Sequence, residues 1–503
     1  MVYYGALSRG CERCRKRKIR CDQRKPSCKK CEQLKKPCPG YRDLNSLSFR
    51  NQSESVRGKY GYHQKSALPS NIRCSWLEAA NKKDLHEDSP GLLKVWLPCA
   101  NDDIGPAFFF SNYGFRELPF STGFQQWLEQ SYLDASSADA VRAGIEAVGL
   151  AGVSNVLGNT RLRRQSRKKY CDALSSLNVM LGHPARAKSD AAFTTVILLS
   201  LFETINFRHS WQYYDWAAHV KGATALLELR GSSQLTTERG ILLFILIRSQ
   251  ILTICLQHNL PVPSSLASLT SEFLTSRARQ TWQEQGLFSH ASISGISLRI
   301  VNFGAAVHRK DFASVQAAVD EAYEIDRLLE TWREKSSPQW AYREQLGVVL
   351  DGGSRLNVNK RHIYPSRRVA TLWNNWRIMR IVLNTMLLQA GWVPSESRQY
   401  RACVDAITNA SEEICLTVES FSGSARMMSL VHPLYMVSRE ELNPPHVREF
   451  ARKELLAIES SCGMRQAGFL ARCTSEDENS GGPEMAAIPT YDEWRLFPLV
   501  PGG

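Results

Sequence analysis

Six cysteines fall within the first forty residues: Cys11, Cys14, Cys21, Cys28, Cys31 and Cys38. They are spaced C-x2-C-x6-C-x6-C-x2-C-x6-C, which is one unit, C-x2-C-x6-C, written twice with an offset of 17 residues. Thiolates at such spacing bind zinc. Cysteine is 14 of 503 residues, so five more cysteines at fixed offsets from the first would recur by chance on the order of one time in 10^8.

The ligand number bounds the metal number. Structural zinc takes four ligands in a tetrahedron. Six thiolates serve either one zinc with two left idle, or two zincs with two thiolates shared. The internal repeat suggests the shared pair: Cys11 and Cys28 occupy the same place in each half. The first histidine after the cysteines is His63, so a mixed Cys/His finger is not available. A disulfide framework needs an oxidising compartment, and residues 1–8 carry no apolar core of the length a secretion signal uses. Zinc is therefore expected, two ions per chain.

Charge points to a partner for this segment. Residues 1–42 hold 14 Lys and Arg against 3 Asp and Glu, a net of +11 out of +14 for the whole chain. Six thiolates and two divalent ions would lower this by about two, leaving a small, strongly cationic unit suited to a polyanion. The halves differ. Five of the six residues between Cys14 and Cys21 are basic (Arg15, Lys16, Arg17, Lys18 and Arg20), but only Lys35 and Lys36 between Cys31 and Cys38. The first half is thus expected to face nucleic acid and the second to complete the metal cage. Basic residues could instead serve only to stabilise the anionic cluster, but that rarely demands five positions of six.

Residues 9–42, RGCERCRKRKIRCDQRKPSCKKCEQLKKPCPGYR, resemble the binuclear zinc cluster (Zn2Cys6) of fungal transcription factors at every ligand position and at the loop proline, Pro26. The resemblance implies two short helices around the cluster, with the end of the first entering the DNA major groove. It implies that Lys18 reads bases, that Arg17 and Arg20 hold phosphates or share the reading, and that the site is a CGG-type triplet. A Lys or Arg donating to guanine O6 and N7 is sound chemistry, while neighbouring cations such as Arg15 and Lys16 set register on the phosphates.

The chain is far longer than this module. Its apolar content of 43% and its 12 Trp argue for a second, folded core. The most apolar stretch, Ile241 to Leu256, is interrupted by Arg248, Ser249 and Gln250 and is shorter than the roughly 20 residues of a membrane span, so no membrane partner is expected. Cys74, Cys99, Cys171, Cys255, Cys403, Cys415, Cys462 and Cys473 show no ligand spacing and read as free thiols.

Residues 43–94 read as a polar linker. A heptad segment is absent after the cluster, since Leu44 and Leu47 start no sustained pattern and Gly58 and Gly61 interrupt it. A homodimer is therefore not expected through a coiled coil, and one formed by the large domain stays open. Apolar periodicity predicts helices over 124–133, 138–157, 161–181, 190–207, 211–230 (stopped by Gly231) and 236–258, with more near 309–334, 366–390, 398–420 and 446–460. Period-2 alternation is scarce. The expected fold class is all-α: a small N-terminal zinc cluster at 9–42 and a large helical domain at 95–472, with long connections at 259–275 and 335–365 and a C-terminal tail at 473–503.

The run from Trp216 through His219, Gly222, Ala223, Leu226, Leu227, Arg230 and Gly231 resembles the W-x2-H-x2-GA-x2-LL-x2-RG signature of the fungal-specific regulatory domain. The segments Ala147 to Ala151, Tyr170 to Leu174 and Leu198 to Glu203 resemble it as well, and residues 41–50 are similar to a segment common after the cluster. This resemblance implies a helical regulatory domain and names no effector.

Other constellations are weak. His219 reads as a packing histidine with Asp215 one turn earlier. No phosphate loop and no catalytic motif occurs, so an enzyme is not expected. The basic run at 161–169 reads either as a nuclear import signal or as the wet face of a helix, and RKRKIR at 15–20 is an equally good import candidate. Acidic-then-aromatic residues in the tail (Glu476 to Glu478, Tyr491 to Phe497) suit a segment that binds a coactivator, or else a terminus that docks on the domain. The expected function is a nuclear, sequence-specific DNA-binding regulator of RNA polymerase II genes, of the kind that controls metabolic or secondary-metabolite pathways. The alternative is an interaction or scaffold protein in which the zinc module is only a structural staple.

Overall fold

The computed structural model describes residues 11–17, 19, 21–22, 24, 27–34, 38–39, 104–114, 126–133, 139–284, 293–336, 338–346, 360–423 and 425–473. The expected linker at 43–94, the tail beyond Cys473, and Lys18, Arg20 and Pro26 lie outside the described residues. The chain divides into two compact units, one containing the cysteine-rich segment and the other containing residues 104–473.

The first unit holds two short helices, α1 (Glu12–Lys16) and α2 (Lys29–Gln33). The second is a stack of helices: α3 (Ile104–Asn112), α4 (Gln126–Leu133), α5 (Asp139–Leu157), α6 (Thr160–Leu181), the single turn α7 (Pro184–Ala187), α8 (Asp190–Asn206), α9 (Tyr213–Arg230) and α10 (Glu238–Gln257). It continues with α11 (Ser264–Thr275), α12 (Arg277–Glu284), α13 (Ile293–Arg309) and α14 (Val315–Glu334). After a short hairpin come α15 (Arg367–Gln389), α16 (Arg398–Leu416), α17 (Val431–Arg439), α18 (Pro445–Cys462) and α19 (Arg465–Cys473). The all-α expectation holds, and each helix predicted from periodicity is present.

The starts of these helices are written in single residues. Asn159, Ser189, Thr237, Ser314, Ser366 and Ser397 each accept backbone N–H bonds from the first turn of the helix they precede, satisfying donors that have no partner inside the helix. Gly231, at φ +52°, ends α9 as expected. Helix α8 is buried almost all round. Helix α5 is rich in Ala and Gly because its neighbours come too close for larger side chains: a Cβ on Gly149 would stand 1.8 Å from the Gly105 carbonyl oxygen of α3.

The last helices close back on the first. Asn155 of α5 donates to the Ile205 carbonyl at 3.1 Å and the Gly463 carbonyl at 2.9 Å, and the Tyr113 hydroxyl donates to the Cys462 carbonyl at 2.5 Å. Gly463 sits at φ +68° against the backbone of Gly152, a left-handed position that favours glycine.

Two expected connections are different in the structure. Residues 259–275 contain α11: Pro263 stands at its N-cap, and Leu266, Leu269 and Phe273 bury one face. The prolines marked the start of a helix rather than an irregular stretch. Within 335–365, β1 (Arg343–Leu346) pairs antiparallel with β2 (Lys360–Ile363), Arg343 opposite Ile363 and Leu346 opposite Lys360. Both strands are largely charged, with Lys360 and Glu344 paired at 3.2 Å, so there is no apolar alternation to read. Helices α12, α13, α17 and α19 were also not anticipated, although each carries its apolar residues on one face, while α3 is apolar all round and shows no periodicity.

The segment from Ile241 to Leu256 belongs to a helix of 20 residues, and α10 and α5 are both long and apolar enough by length and composition to cross a bilayer. Most of α5 and more than half of α10 is buried among neighbouring helices, which is how a core helix meets the same criterion. The basic run at 161–169 lies on α6, where Lys169 pairs with Glu146 and Arg161, Arg164, Arg167 and Lys168 are exposed. Cys171, Cys255, Cys403, Cys415, Cys462 and Cys473 form no disulfide among the described residues, and four of them are buried.

Candidate metal centre and nucleic-acid interface

Each half of the cysteine repeat builds the same object. A cysteine (Cys11 or Cys28) precedes a five-residue helix, and the second cysteine (Cys14 or Cys31) follows three residues on, at the spacing that puts two side chains on one helix face. The third (Cys21 or Cys38) returns after six residues. Cys11, Cys14, Cys28 and Cys31 are almost completely buried, and Cys21 and Cys38 pack partly buried against them. The sulfurs are the core of this small unit.

Two four-sulfur groups result. Cys11, Cys14, Cys21 and Cys28 bring their Sγ atoms within 4.8 Å of one another, and so do Cys11, Cys28, Cys31 and Cys38. Cys11 and Cys28 belong to both. The Sγ separations Cys11–Cys28, Cys11–Cys31 and Cys14–Cys28 are each 3.7 Å. A tetrahedron with Zn–S bonds of about 2.3 Å has an edge of about 3.8 Å, whereas a disulfide brings two sulfurs to about 2.05 Å. The geometry fits shared metal coordination.

The electrostatics agree. Burial, followed by the neighbouring sulfurs, pushes the Cys31 thiol up to about 12 and the Cys14 thiol higher still; burial also raises Cys11. Six crowded sulfurs cannot ionise together without cations among them. Two divalent ions supply that charge and leave the site near −2, which suits a ligand set of soft thiolates. The six cysteines are therefore positioned to hold two zinc ions.

Backbone bonds hold the frame. The Cys11 N–H donates to Cys21 Sγ at 3.5 Å, the Cys31 and Glu32 N–H groups donate to the Cys28 carbonyl, and the Ile19 N–H donates to the Cys14 carbonyl at 3.0 Å. Asp22 was not singled out in the sequence. Its carboxylate accepts the Lys29 N–H at 3.1 and 3.2 Å, placing an anion at the start of α2 and tying the two halves together. The available signal was the break in the repeat: the residue 17 positions after Asp22 is Pro39, which has no acceptor side chain.

Of the expected DNA contacts, Lys16 and Arg17 are exposed at the end of α1, beside Ile19 at 38% exposure. Arg15 lies within α1. Lys18 and Arg20 are outside the described residues. The second half exposes Lys29 and Lys30, but also Glu32, Gln33 and Leu34.

In the helical unit, the partners of His219 come from other helices. Its Nε2 lies 2.9 Å from the Tyr170 hydroxyl, which donates to Glu203 at 2.7 Å. The three residues join α6, α8 and α9, and burial lowers the imidazole to about 4. Three of the segments likened to a regulatory domain thus meet in a single buried hydrogen-bond chain, which is a packing role.

This arrangement, two four-thiolate groups sharing two cysteines beside a cationic helix end, defines a binuclear zinc cluster. Residues 9–47 match the fungal Zn(2)-Cys(6) binuclear cluster domain, and this segment belongs to that domain family. The chain is similar to the White-opaque regulator 2 of Candida albicans (strain SC5314), with 54% identity over 47 residues, 9% of this chain and 10% of that protein. The similarity thus spans a tenth of the relative's length. No solved structure matches the chain.

Proposed function

We propose that this chain is a nuclear, sequence-specific DNA-binding transcription regulator of RNA polymerase II genes, with the zinc cluster as reader and the helical unit as regulatory domain. The observation that carries the reading is the concentration of +11 of the chain's +14 charge in residues 1–42, together with exposed Lys16 and Arg17 at the end of α1. The cluster holds α1 rigid, so that its cationic end can enter a major groove. Lys18 is the proposed base reader on a CGG-type site, with Arg15, Lys16, Arg17 and Arg20 on phosphates or neighbouring bases. The name of the cluster's relative, a regulator, supports the same class. Control of a metabolic or secondary-metabolite pathway is the proposed biological setting. Import into the nucleus is assigned to one of the basic runs, 15–20 or 161–169, and coactivator binding to the tail, where deletion of 474–503 should lower reporter output.

The test is titration of the zinc-loaded full chain against CGG-containing and scrambled duplexes at near-physiological salt, repeated with chelator. The expected result is a chelator-sensitive preference for the CGG duplex. Lys18→Ala should cost about 1–3 kcal/mol on that duplex and relax discrimination, whereas Arg15→Ala should weaken all sequences alike and reduce the salt slope by about one. Affinity that collapses with salt and shows no preference for any duplex would instead mark the zinc module as a staple in an interaction protein.

A further inference from the structure

The helical unit contains a cavity of about 410 Å3 between α10, α13 and α15, a size within the range of small-molecule sites. Its walls are largely apolar, with Leu252, Phe273, Ile300, Trp332 and Met379 among them. Its charged lining has one sign. Arg248, Arg279 and Arg368 contribute to it, and no Asp or Glu does among the described residues.

Arg248 is the informative residue. It sits in the middle of α10, with its guanidinium 5.6 Å over the Phe244 ring, and its Nη1 is buried with no hydrogen-bond partner. Among the other arginines of this unit with a buried unbonded nitrogen, Arg230 pairs with Asp190, Arg377 with Glu413 and Arg465 with Glu459, whereas Arg163, which does not line the cavity, has no carboxylate partner among the described residues either. Arg248 has no such carboxylate among the described residues. Burial lowers it to about 10, so it remains a cation at neutral pH. A half-buried cation with one unsatisfied nitrogen and no counter-charge gains from a partner, and an arginine fork suits a carboxylate. A simple inorganic anion would answer the charge but leave the apolar walls unfilled.

We propose that this cavity binds a small organic acid, its carboxylate on Arg248 and its apolar body between α10, α13 and α15. Binding here is independent of the DNA-reading role proposed above, because the cavity is built entirely within the helical unit.

The experiment is calorimetric titration of the zinc-loaded full chain with decanoate, decanol and acetate. Decanoate should saturate one site and bind at least about tenfold more tightly than either the neutral chain or the bare carboxylate. Arg248→Gln should bring decanoate down to the level of decanol and leave decanol unchanged, while Arg248→Lys should retain part of the difference. Ser297→Trp, which fills the facing wall with Arg248 intact, should abolish decanoate binding. If the Gln variant fails to fold, judged by helical circular dichroism, the Lys and Trp variants carry the decision. Absence of saturable decanoate binding, equal binding of decanol, or decanoate binding that survives both Arg248→Gln and Ser297→Trp would overturn the proposal. Acetate binding as tight as decanoate would reduce the site to a plain anion contact and overturn it too.

Discussion

The Sγ atoms of Cys11 and Cys28 stand 3.7 Å apart, and each belongs to both four-sulfur groups of the cluster. Cys21 and Cys38 each belong to only one. The six ligands are therefore not equivalent. Cys38→Ser leaves the group of Cys11, Cys14, Cys21 and Cys28 complete, so the metal content should fall from about two ions per chain to about one. Cys28→Ser breaks both groups and should bring it below one. Metal counting by native mass spectrometry separates these outcomes, and equal losses in the two variants would contradict the sharing.

Glycines in the helical unit should behave in opposite ways. Gly149→Ala forces a Cβ to within 1.8 Å of the Gly105 carbonyl oxygen, so α3 and α5 must separate. A loss of about 1–3 kcal/mol or more is expected. Gly222, within α9, has open space around its missing Cβ. Gly222→Ala should leave stability unchanged or raise it by up to about 1 kcal/mol, through helix propensity and a less flexible unfolded chain. Thermal melts of the two variants check both signs.

Arg377 is completely buried, and its guanidinium donates to Glu413 at 2.7 Å and to Asn374 at 3.0 Å. It also lies 5.4 Å from the Tyr342 ring and 5.8 Å from that of Trp373. Glu413→Ala leaves this charge without its carboxylate and should cost about 2–3 kcal/mol, the low edge of the range for a broken buried pair, because water reaches part of Glu413. The double variant Arg377→Met, Glu413→Leu removes the charge with its partner and should cost less than Glu413→Ala alone. Denaturant midpoints of the three proteins would decide, and a larger loss in the double variant would contradict the account.

His432 is held neutral by burial, with Arg439 adding to the effect, and is lowered from its usual range to about 4. Above about pH 6.5 it is uncharged in both folded and unfolded chains and contributes no slope. As the pH falls from about 6.5 to 4, only the unfolded chain takes the proton, so stability drops by up to about 1.4 kcal/mol per pH unit. His219 and His362 are lowered in the same way, so His432→Gln should make the fall in stability shallower in that window without abolishing it, and leave stability above the window without added slope. Urea midpoints at pH 7.5, 6, 5 and 4 measure the difference, and parallel curves would show that His432 is not the buried neutral base assigned here.

The C-x2-C-x6-C repeat was legible as two metals and a shared cysteine pair because ligand number and repeat symmetry leave few ways to fill two tetrahedra. Helix positions were legible where apolar spacing and a capping Ser, Thr or Asn agreed, as at Ser189 and Thr237. They were not legible at α11, where the prolines before Ser264 were read as part of a connection, or where charged strands paired, as in β1 and β2. Asp22 was missed because its role is to reach Lys29, seven residues on.

The sequence by itself determined the zinc module, its cationic half and the helical class of the large unit, since each rests on local spacing, charge or periodicity. Only the tertiary structure decided which side chains meet across distant helices. It paired Tyr170 with Glu203 and His219, caged Arg377 among aromatic rings, and left Arg248 on an apolar cavity without a carboxylate. Such contacts depend on which helix faces pack together, and burial then sets their energies, because the same charge that water screens at the surface must find a partner inside.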